Sequence, residues 1–134
     1  MRADQTLRVI LGDDPKFALP LELITTDRIL QRWAVSVGAG LPTEEWDDAP
    51  QARPDPLPDD IAITVDQCIL KAPPRTQEVI TRWYKTPEPV EVIGRALGMI
   101  PRNVYRARAI CLEFMRWRFI ESGDKSLIVL VDKL

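Results

Sequence analysis

Apolar residues recur along this chain with two different periods. Leu7-Arg8-Val9-Ile10-Leu11 is a short continuous run that stops at Gly12-Asp13-Asp14-Pro15, and it reads as a β-strand. A similar run, Leu127-Ile128-Val129-Leu130-Val131, follows the turn Ser122-Gly123-Asp124-Lys125 and reads as a second strand. From Thr26 the period becomes helical. Ile29, Leu30, Trp33, Ala34 and Val37 form one stripe, with Thr25 or Thr26 as N-cap and Gly38 and Gly40 as the stop. Asp59 or Asp60 can cap a helix whose stripe is Ile61, Val65, Cys68 and Ile69. Pro73-Pro74 ends that helix. Pro74 suits the start of the next, which carries Val79, Ile80, Trp83 and Tyr84 on one face and closes before Thr86-Pro87-Glu88-Pro89.

Between these helices, Leu41 to Asp60 holds prolines at 42, 50, 54, 56 and 58 and acids that include Glu44, Glu45, Asp47 and Asp48. That composition predicts an exposed acidic loop, with Trp46 as its one apolar anchor, docked on the chain's own core or on a partner. The organisation expected is an N-terminal extension with a strand (1–25), a helical domain (26–121) that includes the acidic loop (41–60), and a C-terminal strand (122–134). The fold class expected is mainly α, a helical domain with short terminal β-strands. An unpaired terminal strand leaves an open edge, so the two strands are expected to pair with each other or with a second subunit.

Composition narrows the chemistry. The 134 residues include no histidine, which removes every Ser-His-Asp or Cys-His nucleophile system and every histidine base or metal ligand. Cys68 and Cys111 are far apart and each falls on an apolar helical face, so they read as buried small hydrophobes. They make no zinc site between them. Paired acids such as Asp13-Asp14 and Asp59-Asp60 lie among turn residues, and Gly94 and Gly98 lack the lysine or serine of a phosphate loop. The expectation is a non-enzyme with no cofactor and no metal. No run approaches the roughly 20 apolar residues of a membrane span, and no secretory signal is recognisable, so a cytoplasmic location is expected.

Charge is uneven. Residues 1–70 hold 6 Lys+Arg against 13 Asp+Glu, a balance of −7, whereas residues 71–118 hold 10 against 4, a balance of +6. Most of the central cations are arginines, whose planar fork suits phosphates and guanine edges. The net charge of −2 argues against strong sequence-independent binding to DNA.

Residues 90–109 sharpen the picture. A helix-turn-helix needs a small residue at its fifth position and one tolerating positive φ at its ninth; here these are Gly94 and Gly98. Apolar residues belong at the fourth, eighth, tenth, fifteenth and eighteenth positions, and they are Ile93, Leu97, Met99, Val104 and Ala107. Pro101 fits the first turn of the second helix. With Val104 inward, Arg102 and Arg106 point outward beside Asn103 and Tyr105, side chains suited to base edges in the major groove. That helix is expected to run to about Glu121, with Cys111, Phe114, Met115 and Arg118 on its inward side. Trp117 and Phe119 widen the apolar surface beyond one stripe, leaving room for a partner or dimer contact.

The order of motifs resembles a known family. Arg32-Trp33, Val65-Asp66-Gln67-Cys68-Ile69, Trp83-Tyr84, Ile93-Gly94 and Asn103-Val104-Tyr105-Arg106 leading to Phe114 are similar, over about residues 26–121, to the lambdoid phage antitermination Q proteins of the phage-21 type. The resemblance implies a fold like region 4 of sigma factors. It implies partners too: double-stranded DNA near a late promoter, and bacterial RNA polymerase, which such proteins modify so that terminators are passed. By position, Arg102, Asn103, Tyr105 and Arg106 inherit DNA reading, with Arg95 and Arg108 touching phosphates. Three other readings stay open: a dimeric promoter repressor or activator, a ring-forming DNA-packaging subunit, and an interaction protein whose acidic loop engages a basic partner.

Overall fold

Prolines set most of the helix starts. A computed structural model describes residues 19–38 and 54–133, which form six α-helices. These are α1 (Leu21–Ser36), α2 (Asp59–Leu70), α3 (Pro74–Ile80), α4 (Val90–Leu97), α5 (Pro101–Glu121) and α6 (Lys125–Asp132). A π-helical turn, Thr81–Lys85, continues α3. Pro20, Pro58, Pro73 and Pro89 stand just before α1 to α4, and Pro101 is the first residue of α5. A proline there has the φ a helix entry needs, and its missing N–H would have found no intrahelical acceptor.

This mechanism displaces the expected caps. Helix α1 begins at Leu21, so Thr25 and Thr26 lie inside it and are buried. Thr25 donates its hydroxyl to the Val131 carbonyl at 2.6 Å, a tertiary contact where an N-cap was expected. Asp59 and Asp60 occupy the first turn of α2 without a side-chain cap bond, and act there only through the helix dipole. Among the described helices only α6 has a side-chain N-cap: Asp124 Oδ1 accepts from the Ser126 and Leu127 N–H groups.

Helix α6 also overturns the expected C-terminal strand. Leu127 to Val131 is helical, with Leu127 and Val131, one turn apart, buried against α1 and α5. A five-residue apolar run fits either period, and here the Asp124 cap and the i, i+4 burial decide for helix. The N-terminal run Leu7 to Leu11, Trp46 and most of the acidic loop lie outside the described residues.

Helix α5 is the axis of the fold. It packs on α1, α2, α3, α4 and α6, and its Val104, Leu112, Met115 and Phe119 are essentially inaccessible. Most of the stripes expected for α1, α2 and α3 face this core: Leu30, Trp33, Ile61, Val65, Val79, Ile80 and Tyr84 are all buried, whereas Val37, expected on the α1 stripe, lies just past the helix and is exposed. Chain entry to α2 is tied down by α1. Arg32 donates to the Asp55 and Pro56 carbonyls, and Ser36 Oγ accepts from the Leu57 N–H at 2.7 Å. Among the described residues no helix is long and apolar enough to cross a membrane.

Three residues, Gly98 to Ile100, join α4 to α5. Gly98 is left-handed at φ 70°, ψ 36°, as its place in the sequence predicts, and the Met99 N–H closes the turn on the Gly94 carbonyl at 2.8 Å. Gly94 is required for a different reason: a Cβ there would sit 2.5 Å from the Met99 oxygen. Gly98→Val is expected to cost about 1–3 kcal/mol through backbone strain alone, with Gly98→Asn costing less. Thermal melts check this, and a Gly98→Val variant melting with the wild type would contradict the left-handed turn. Gly94→Ala should lose a similar amount despite alanine's better helix propensity, because the clashing atom belongs to the backbone.

Candidate nucleic-acid interface

The first turns of α5 present one polar edge to solvent. Val104 is inward and fully buried, so residues a half-turn away point out; Arg102, Asn103 and Arg106 are all exposed. Arg95 is exposed in the last turn of α4. Among the described residues none of these three arginines has an acidic partner within ion-pair distance. Tyr105 is half-buried, its ring edge-on to Trp83 with centroids 5.6 Å apart.

Arg108 departs from the sequence expectation. It lies one turn beyond Val104 on the inward side, and its guanidinium pairs with Asp27 at 2.7 Å. It also stands 4.6 Å from the centroid of the Trp83 ring and donates to the Tyr84 hydroxyl at 3.4 Å. The Arg108 and Asp27 side chains are only 12% and 11% exposed. A phosphate could be reached only by breaking that pair, so Arg108 is a structural anchor and not a DNA contact. The spacing carried the signal: Arg108 falls four residues after Val104 and three before Cys111, on the core stripe.

Sequence reasoning passed over Asp27 and saw Tyr84 only as apolar surface. Together with Arg108 they form a buried polar cluster, because Tyr84 donates its hydroxyl to Asp27 Oδ1 at 2.5 Å. Burial, then the Asp27 charge, push the Tyr84 phenol well above its ordinary pKa. A phenol kept protonated when folded stabilises the fold fully below its unfolded pKa, near 10, and loses that contribution as pH rises beyond it. Burial raises the Cys68 and Cys111 thiols too, which adds a similar loss starting near pH 8.5. Tyr84→Phe should therefore cost about 1–3 kcal/mol at pH 7, from the lost hydrogen bond to a carboxylate, and flatten the fall in stability above about pH 10. Urea titrations at pH 7, 9 and 10.5 test both parts; a Tyr84→Phe variant as alkali-sensitive as the wild type would remove the assignment.

Other arginines of the basic segment are also spoken for. Arg82 Nη1 donates to both oxygens of Glu88, and its Nε lies 3.4 Å from Glu78. Arg75 donates to the Leu97 carbonyl at 2.7 Å and so caps the last turn of α4. Among the described residues Arg95, Arg102 and Arg106 form no ion pair, and neither do Lys71, Lys85 and Arg116. Compared with models of known protein families, with curated proteins and with solved structures, the chain matches none.

Proposed function

We propose that the chain is a DNA-binding transcription regulator whose α4–turn–α5 unit is a helix-turn-helix, and that it acts as an antiterminator of the phage Q kind. The observation that carries the DNA part is the set of exposed Arg102, Asn103 and Arg106 in the first turns of α5, with no ion pair among the described residues and directly after a left-handed glycine turn. Arginine reads guanine O6 and N7, asparagine reads adenine N6 and N7, and a helix that presents both near its start fits the major groove. Arg95 on the preceding helix would reach the flanking phosphates. The support for antitermination is the motif order shared with the Q proteins.

Charge shapes how such a protein would work. One module buries about 600–1,000 Å² on DNA, little for tight binding, and the whole chain is acidic. Affinity can instead come from a polymerase paused at the site, which raises the effective concentration of a second contact. The test is transcription in vitro on a template with a late promoter, a pause site and a terminator. Weak binding to naked DNA together with readthrough of the terminator is expected. Block of initiation by a tightly bound free dimer would establish a repressor, and a protein with no DNA affinity in either assay would make this an interaction module.

A further inference from the structure

The outer stripe of α5 continues beyond its cationic turns. Asn103, Arg106, Ile110, Glu113, Trp117 and Ile120 follow one another at alternating spacings of three and four, the seam pattern of a coiled coil. Ile110 is 68% exposed and Trp117 53%, on a helix whose opposite side is the core of the fold. The proposed DNA contact does not account for them. At a rise of 1.5 Å per residue Trp117 lies about 16 Å past Arg106, more than the ~12 Å width of a major groove. Glu113, exposed between them, would meet phosphates as a like charge.

We infer that this stripe is a self-association surface, α5 lying antiparallel on α5 of a second copy with the two-fold axis between Ile110 and Glu113. The charge pattern selects both occupant and direction. In that register Arg106 stands opposite the second copy's Trp117, an aromatic face for its guanidinium, and within one turn of its Glu113. Ile110 packs on the aliphatic stem of the second copy's Glu113, and every contact is made twice. A parallel pair would instead set Arg106 on Arg106 and Glu113 on Glu113, two repulsive layers. One helix pair buries less than a standard interface, so the dimer dissociates in the range of about 10 µM.

Such a dimer covers Arg106 on both copies. It is therefore not the dimer of a palindrome reader, which must leave both reading helices open. On the proposed function, self-association and DNA occupancy exclude each other; the pairing itself does not depend on that function. Sedimentation equilibrium of the full chain tests it without DNA. The wild type is expected to dimerise, Arg106→Glu to weaken the dimer at least about tenfold by opposing Glu113, and Arg106→Glu with Glu113→Arg to restore most of it. All substituted side chains are exposed, and circular dichroism verifies the fold of each variant. A wild type that stays monomeric at about ten times the expected dissociation constant, or a dimer indifferent to both substitutions, overturns the inference. Absence of DNA binding would sink the proposed function and leave this result as it stands.

Discussion

Arg102→Ala combined with Arg106→Ala is expected to weaken specific DNA binding at least about 25-fold while leaving the melting temperature within about a degree of the wild type. Both side chains are exposed and make no ion pair among the described residues, so the fold has little to lose. Each arginine that reads a base contributes about 5- to 150-fold of discrimination, whereas a phosphate contact alone weakens every sequence alike and flattens the salt dependence. Binding isotherms on specific and random duplexes at two salt concentrations separate the two roles. Arg95→Ala should show the phosphate signature. A double variant that binds as the wild type does would remove α5 from the interface.

The second large effect lies under that surface. Asp27→Ala should destabilise the protein by about 3–5 kcal/mol, because it leaves the Arg108 guanidinium buried without its anion and the Tyr84 hydroxyl without its acceptor. Arg108→Ala should cost a comparable amount for the mirror reason. Replacing all three members, as Asp27→Leu with Arg108→Met and Tyr84→Phe, should recover much of the loss, since three apolar side chains need no partner. Urea unfolding of the three variants decides the matter. Single-variant losses of less than about 1 kcal/mol would mean that water already solvates the pair.

Helix periodicity was legible because packing on one central helix demands it: the stripes of α1, α2 and α3 fall where the apolar spacing places them. The α4–α5 turn was legible for a sharper reason, since Gly94 and Gly98 are each required by a backbone condition that few residues meet. What failed were the features decided at long range. Leu127 to Val131 is too short to reveal its period, and its helical state depends on Asp124 and on burial against α1 and α5. Thr25 looked like a cap until α1 extended back to Pro20 and turned its hydroxyl toward α6. Arg108 was counted with its exposed neighbours, although its partners Asp27 and Tyr84 lie 81 and 24 residues away in sequence. Within the candidate interface the exposed arginines were foreseen, and the buried one was not.

The central place of α5 governs how a ligand would be received. The helix that carries Arg102, Asn103 and Arg106 is the same helix against which five others pack, and the Asp27 pair clamps it one turn further on. Any loosening of these side chains is confined to the first turns of a helix whose backbone continues into the core. Ligand binding there would meet a scaffold already ordered, with little conformational entropy left to lose and no folding coupled to association. Its calorimetric signature would be a small heat-capacity change, and amide exchange from Val104 to Leu112 would be about as slow before a ligand arrives as after.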